Sequence, residues 1–146
     1  MERIATYVLG EQLENENDNK YILVAPDYFT KWTEAIPMRN MEAEAVASII
    51  LEEVIARFGV PQVIHSDQGK QYESRLFQEM CEVLDITKTR NTAYHPRSDG
   101  MVERFNGTLE TMISANVQEI HRDWDKHLPY VMMRLSMKLH NLVQIC

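Results

Sequence analysis

Two carboxylates have the residue types and the spacing to share one divalent metal ion. Asp67 ends the apolar stretch "PQVIHSD", and Glu103 lies in "SDGMVERF", at the start of a predicted helix. Each also has an ordinary structural explanation, as a turn aspartate before Gly69 and as a first-turn glutamate favoured by the helix dipole. Together, with 35 residues between them, they offer the hard oxygen ligands that Mg²⁺ or Mn²⁺ prefers. Two such ions assist in-line phosphoryl transfer, which normally requires about three carboxylates.

The segment 87–106 is locally basic within an acidic chain. The whole sequence has a formal net charge of −7, which on average argues against a nucleic-acid-binding protein. Within the segment, only Asp99 and Glu103 oppose the cations. These cations are Lys88, Arg90, Arg97 and Arg104. A solvated surface explains such a run as well as a phosphate-binding patch does, so both interpretations stay open at this point.

Hydrophobic periodicity predicts the elements that must position these residues. Strands are predicted at 3–9, 21–27, 28–38, 61–67 and 86–94, and helices at 41–58, 74–84, 99–120 and 122–140. The first helix should turn Val46, Ile50 and Phe58 inward, and the second should bury Leu76 and Phe77. The order β-β-β-α-β-α-β-α-α predicts an α/β fold: a mixed five-stranded sheet with an antiparallel three-stranded start and helices on its faces.

The remaining composition sets broad limits. The 146 residues are enough for one domain with a hydrophobic core. No stretch approaches the roughly 18 apolar residues of a membrane span. The two cysteines and five histidines lack zinc-finger spacing, so we expect no structural zinc and no disulfide framework. A reducing, intracellular compartment fits this cysteine usage.

Several spaced motifs resemble one known family. The segments "KYILVAPDYFTKWTEAIPM", "EEVIARFGVPQVIHSDQGKQYES", "KTRNTAYHPRSDGMVERFNGTL" and "DWDKHLPYVMM" are similar to the integrase catalytic core of gypsy-type LTR retrotransposons, within the retroviral integrase superfamily. The similarity extends from Arg3 to Met133. It implies an RNase H-like fold, and we expect this core to occupy residues 1–140. The 35-residue gap matches the family's D…D-x35-E signature.

The resemblance also implies roles for individual residues. Asp67 and Glu103 would be the second and third catalytic acids and would hold Mg²⁺ or Mn²⁺. The family's reaction is 3′-end processing of linear element DNA, followed by attack of the 3′-hydroxyl on a target phosphodiester. Residues of the loop before the active-site helix, and cations beside it, would contact DNA: Lys88, Arg90, Tyr94, His95, Arg97, Ser98 and Arg104. DNA is thus the expected partner, a homodimer the expected assembly and the nucleus the expected location.

The first catalytic position departs from the family pattern. The family places its first aspartate on the first strand, and in this register the position is Tyr7, in "RIATYVLG". A phenol, with an ordinary pKa of about 10, is not a hard anionic ligand at neutral pH. The resemblance therefore predicts weakened or absent metal binding. It also predicts impaired catalysis, because losing one member of a catalytic unit commonly costs roughly several powers of ten in rate. Asp27, which ends the second strand, is the alternative acid.

A second departure lies near the C-terminus. After "LPYVMM" the chain reads "RLSMKLHNLVQIC", so we expect residues 134–146 to be a divergent, frameshifted tail. Two other functions stay open. One is a non-enzymatic DNA-binding or dimerisation module derived from an integrase. The other is an RNase H-like nuclease acting on hybrids, which the motif "YHPRSDGMVERFN" disfavours.

Overall fold

The first predicted strand is interrupted by one residue, and the two strands that follow it form an antiparallel ribbon. The computed structural model describes residues 2–12, 17–90, 107–118 and 123–145. Two short strands, β1 (Arg3–Ala5) and β2 (Tyr7–Leu9), occupy the predicted first strand and are separated by Thr6 alone. β3 (Tyr21–Pro26) and β4 (Thr33–Met38) then pair antiparallel.

The predicted third strand begins later than residue 28. Residues 28–32 form a turn instead, because the Asp27 carboxylate accepts hydrogen bonds from the backbone N–H groups of Phe29 (2.8 Å) and Thr30 (3.0 Å). This is the local competition by which an aspartate side chain favours a turn over a continuing strand.

Helices follow this ribbon and alternate with two further strands. α1 runs Ala43–Ile49, continues as a π-helical section Ile50–Ile55 and ends with the turn Ala56–Phe58. Gly59, at φ +96°, terminates it in a backbone conformation that other residues rarely adopt. The remaining elements are β5 (Val63–Ser66), α2 (Lys70–Glu73), α3 (Arg75–Val83), β6 (Thr87–Arg90), α4 (107–118) and α5 (Trp124–Ile145).

Two details of these helices were not anticipated. The short helix α2 precedes α3, and Ser74 separates them because its hydroxyl accepts the N–H of Phe77 (3.2 Å) as an N-cap. α5 follows the predicted helix 122–140 and extends beyond it without a break to Ile145, within the segment that we expect to be divergent. Among the described helices, none is long and apolar enough to cross a membrane.

The sheet is mixed, as predicted, but it is divided into two three-stranded parts. β2, β3 and β4 form an antiparallel part, and β1, β5 and β6 form a parallel part. The parts meet where β1 passes into β2, and an isolated antiparallel bridge between Ile4 and Asp27 also joins them. Counting β1 and β2 as one interrupted strand recovers the predicted five strands and the antiparallel start.

Two hydrophobic layers cover the two faces of this sheet. On one face, Ile4, Leu23 and Ile64 pack against Val46 and Ile50 of α1, together with residues of α2 and α3. On the other face, strand residues pack against α4 and α5, in a cluster of Leu9, Ile22, Val24, Leu109, Ile113, Val117, Trp124, Leu128, Val131, Met132 and Leu135. The alternation of side chains along each strand assigns neighbouring residues to opposite layers.

The predicted inward faces are largely confirmed, with two exceptions. Val46, Ile50 and Phe77 are fully buried, but Leu76 is 46% exposed and Phe58 is 37% exposed. Leu76 was wrongly predicted as inward, because α3 starts just before it and turns Phe77 and Cys81 toward the sheet instead. The first part of the predicted helix 99–120 lies outside the described residues.

Neighbouring residues on α1 provide a direct test of this layer arrangement. Ile50 is fully buried and Leu51 is 40% exposed. We expect Ile50→Ala to lower the free energy of unfolding by about 2–5 kcal/mol, because it leaves a cavity in the first layer. Leu51→Ala, the matched control, should change it by less than about 1 kcal/mol. Urea unfolding followed by circular dichroism measures both, and equal losses would contradict the described helix face.

Candidate active site

The predicted first and second acid positions meet at one edge of the sheet. β1 pairs with β5 in parallel, with Ala5 opposite His65, and the Thr6 N–H continues the pairing to the His65 carbonyl (2.9 Å). Extending this register by two residues brings Tyr7 level with Asp67. We call the edge formed by these two residues the carboxyl edge, since both follow the carboxyl ends of parallel strands, where α/β sheets commonly carry their sites.

Tyr7 occupies the carboxyl edge as a neutral group. Its side chain packs against the second hydrophobic layer, beside α4. Burial raises the pKa of the phenol well above its ordinary value, and the negative charge of Glu110 raises it further. Tyr7, at the predicted first acid position, therefore carries no negative charge at neutral pH, and its environment opposes ionisation more strongly than water would.

Asp67 is exposed and is oriented by the turn that follows β5. Its Oδ1 accepts the backbone N–H of Gly69 (2.8 Å). A Cβ atom at position 69 would lie 2.9 Å from that same oxygen and from the side-chain amide of Gln71. Because glycine has no side chain, the Asp67 carboxylate can occupy this space.

Two buried hydroxyls lie next to this edge. Thr6 and Tyr72 are 1% and 0% exposed. Burial raises the pKa of Tyr72, an interaction with the Thr6 hydroxyl lowers it, and the Asp67 charge raises it, so the three side chains are neighbours. Neither hydroxyl makes a hydrogen bond of regular geometry to a described residue. The two buried hydroxyl groups are therefore incompletely hydrogen-bonded, which is uncommon for buried polar groups.

The two described cations of the predicted DNA-binding set share one acidic partner. Lys88 Nζ lies 3.4 Å from Glu73 Oε1, and Arg90 Nη1 lies 3.5 Å from the same oxygen. The Lys88 side chain is 13% exposed and the Arg90 side chain 54% exposed, so Arg90 presents more of its charge to solvent. Glu73, at the end of α2, therefore offsets part of the local positive charge beside the carboxyl edge.

Asp27, the alternative acid, is placed at the opposite edge of the sheet. It bridges to Ile4, before β1 ends, whereas Tyr7 follows the end of β1. Asp27 is 7% exposed, and its Oδ1 already accepts hydrogen bonds from the backbone N–H groups of Phe29 and Thr30. Three residues of extended strand span roughly 10 Å, and this separates the Asp27 carboxylate from the edge where Tyr7 and Asp67 lie.

The remaining predicted site residues lie outside the described residues. These are Tyr94, His95, Arg97, Ser98, Glu103 and Arg104. Their roles stay predictions.

The described donors do not make a two-metal centre. Within the described ranges, no group of three or more His, Cys, Asp or Glu side chains could hold a metal ion. Asp67 supplies one carboxylate and Tyr7 supplies a neutral phenol. Mg²⁺ favours charged oxygen ligands in near-ideal octahedral geometry, so this part of the site does not fit it well.

Several neighbours of the site were not identified from the sequence. Glu110 lies seven residues after Glu103, and residues at this spacing share one face of a continuous helix. The sequence could therefore have indicated that Glu110 lies near the predicted site. Thr6 directly precedes Tyr7 in the chain. Glu73 and Tyr72 carry no such signal, because only the packing of α2 against the sheet brings them to this edge.

Comparison with known proteins identifies a family that this chain matches. Residues 8–96 match the family described as Integrase core domain. The Gag-Pol polyprotein of baboon endogenous virus is 40% identical over 116 residues, covering 79% of this chain and 7% of that protein. The Gag-Pol polyprotein of walleye dermal sarcoma virus is 38% identical over 125 residues, covering 84% of this chain and 7% of that protein. The chain spans only about a tenth or less of the length of such relatives.

Solved structures agree with this relationship. The catalytic core domain of BIV integrase is 27% identical, with a TM-score of 0.68, covering 89% of this chain and 80% of that one. An intasome chain of simian T-cell lymphotropic virus, solved in complex with the PP2A regulatory subunit B56 gamma, is 26% identical. Its TM-score is 0.69, and the match covers 90% of this chain and 46% of that one. The predicted RNase H-like fold is thereby confirmed.

The relatives named above are retroviral, so they support the superfamily without selecting its gypsy-type branch. The family match spans more than half of the chain and includes Tyr7's neighbour Val8, the carboxyl-edge residue Asp67 and both cations of β6. On this evidence the chain belongs to the integrase core domain family.

Proposed function

We propose that this chain is the catalytic core of a gypsy-type LTR retrotransposon integrase that binds DNA in the nucleus, and that Tyr7 impairs its metal-dependent strand transfer. The observation that carries the proposal is the position of Tyr7, level with Asp67 at the carboxyl edge. Family membership supplies the class of reaction. The motifs "KYILVAPDYFTKWTEAIPM" and "YHPRSDGMVERFN" support the gypsy-type assignment.

The chemistry of the carboxyl edge explains the impairment. Mg²⁺ or Mn²⁺ is the cofactor expected for an intact site, where it would stabilise charge during phosphoryl transfer. Asp67 would hold such an ion, with Glu103 as the second carboxylate. Tyr7 offers a neutral oxygen and an aromatic ring at the third position. The site thus lacks a negative charge that the phosphate reaction depends on, and metal binding is weakened accordingly.

DNA binding does not depend on that missing charge. Arg90 is half-exposed beside the carboxyl edge, and Lys88 lies on the same strand. Phosphate contacts supply most sequence-independent affinity for DNA, and each requires only a positioned cation. Binding without efficient transfer is therefore the expected behaviour of this chain.

A second function, a non-enzymatic dimerisation or DNA-binding module derived from an integrase, is favoured by the surface of α5. Tyr130, Met133 and Met137 are 69%, 65% and 68% exposed. They recur at intervals of three and four residues and therefore lie along one face of the helix. An exposed apolar face of this kind is suited to a second copy of the chain.

Restoring the acid tests the proposed impairment. We expect Tyr7→Asp to raise Mn²⁺-dependent disintegration of a branched oligonucleotide by at least about a thousandfold, because it completes the catalytic unit. Tyr7→Phe, the matched control, removes the hydroxyl without adding a carboxylate and should stay as inactive as the unmodified chain. Circular dichroism confirms that all three fold. Equal activity of the unmodified chain and Tyr7→Asp would contradict the role assigned to Tyr7.

Removing the negative charge that pairs with Lys88 and Arg90 tests the proposed DNA binding. Glu73→Gln should strengthen binding to a DNA duplex and steepen its salt dependence, with the slope of log K against log[salt] growing by about 0.9 for each added phosphate contact. Fluorescence anisotropy at several salt concentrations measures this change.

Glu79→Gln is the control for that experiment. It makes the same change in net charge, but Glu79 pairs with Arg75 at 2.9 Å instead of with the cations of β6. If the two variants bind DNA equally well, net charge alone explains the effect and Glu73 has no specific role.

The α5 surface has its own test. We expect Met133→Lys to shift the chain from dimer to monomer in sedimentation velocity, because it places a charge in an apolar contact. EDTA should leave the dimer of the unmodified chain intact. Val83→Lys, at another apolar position that is 83% exposed, is the control and should not change the assembly. A monomeric unmodified chain at high protein concentration would contradict the dimerisation function.

A further inference from the structure

A separate cavity opens at the end of the sheet opposite to the carboxyl edge. Its volume is about 530 Å³, and it lies where the turn between β3 and β4 meets the end of α1. Ala25 and Val54 contribute its apolar wall, and Trp32 and Phe58 contribute aromatic rings. We call it the aromatic cavity. Nothing in the proposed integrase chemistry uses it.

The polar groups of the aromatic cavity are acidic. Glu2, Asp27 and Glu34 line it, and none of its described lining residues is a cation. Asp27 is 7% exposed, and its Oδ1 receives both turn hydrogen bonds, so Oδ2 is the oxygen available to a ligand. A buried carboxylate beside an apolar cavity favours a positively charged partner, since an unpaired buried charge is costly.

The aromatic rim is already arranged to accept positive charge. The Trp32 indole N–H donates to Glu34 Oε1 (2.8 Å), which holds the ring in place while leaving the residue 55% exposed. The Arg57 guanidinium lies 5.1 Å from the centre of the Phe58 ring and 3.6 Å from Glu34 Oε2. Glu34 is therefore satisfied within the chain, and Glu2 and Asp27 remain as the acids for a ligand.

We propose that the aromatic cavity binds an alkylammonium group, presented as a lysine side chain of a partner protein. The four-carbon stem of lysine suits the apolar wall, and its ammonium is a compact point charge. At the buried Asp27, the turn engages Oδ1 and leaves Oδ2, and one oxygen matches that point charge better than the two-pronged guanidinium of arginine, which prefers a bidentate partner. The exposed Trp32 ring adds cation–π attraction, whereas the Phe58 ring already lies beside Arg57. Phe29, 90% exposed at the mouth, offers an apolar surface for the peptide that carries the lysine.

Nuclear magnetic resonance titration with small probes tests this site on the full chain. We expect N-acetyl-lysine methylamide to shift the Trp32 indole signal saturably, whereas the uncharged N-acetyl-norleucine methylamide should shift it little. Comparable binding of the norleucine probe, or no shift with either probe, would overturn the proposal. Tighter binding of free 1,4-diaminobutane than of the lysine probe would overturn the assignment to a protein side chain.

Variants identify the groups that carry the binding. Trp32→Ala should weaken the lysine probe at least about fivefold, and Val83→Ala, at an exposed apolar position outside the cavity, should not change it. Asp27→Asn should weaken it about tenfold. Because Asp27 also shapes the turn, Glu2→Gln serves as a second acidic variant at a position without that role, and it should weaken binding as well. Retained affinity in both acidic variants would overturn the proposal.

Discussion

The parallel pairing of β1 with β5 is the constraint on which the rest of this structure depends. The two strands are about sixty residues apart in the chain, and their register is set by Ala5 opposite His65. The hydrogen bond from the Thr6 N–H to the His65 carbonyl extends that register to the point where the sheet divides. Extended by two residues, this register brings Tyr7 level with Asp67 at the carboxyl edge, and the alternation of side chains turns Thr6 and Tyr7 toward opposite layers.

The same register directs neighbouring side chains at the carboxyl edge into different hydrophobic layers. Thr6 is directed toward the layer of α1, α2 and α3, where it meets Tyr72, while Tyr7 packs in the layer of α4 and α5, beside Glu110. Glu110 is the carboxylate beside position 7, so an acid at that position would be the second one there. The phenol instead continues the apolar packing of its layer, so this replacement fits the fold while removing the charge. The fold can therefore accommodate a neutral side chain at position 7.

Charge is distributed unevenly over a chain whose net charge is −7. Beside the carboxyl edge, one glutamate on α2 offsets the two cations of β6. At the opposite edge, the aromatic cavity is lined by carboxylates and by exposed rings. The two ends of the sheet thus differ in character, because cations lie beside one and carboxylates with aromatic rings line the other.

The sequence by itself determined the family, the order of the elements and the types of residue available at the site. Hydrophobic periodicity located most helices and strands, because it records which face of each element is apolar. The chemistry of a tyrosine in place of an aspartate is likewise a property of the residue and needs no structure. The 35-residue spacing of Asp67 and Glu103 predicts a site from the sequence alone, and Glu103 lies outside the described residues.

Only the tertiary structure decided which distant residues are neighbours. Periodicity does not specify sheet order, and it cannot show that Asp27 lies at the opposite edge from Tyr7 or that Glu73 reaches Lys88 and Arg90. The turn that shortens β4 and the exposure of Leu76 also depend on local hydrogen bonds and helix starts that apolar spacing does not record. The aromatic cavity joins the N-terminal strand region, the β3–β4 turn and the end of α1. Such a site arises from packing between segments, and packing is a property of the folded chain as a whole.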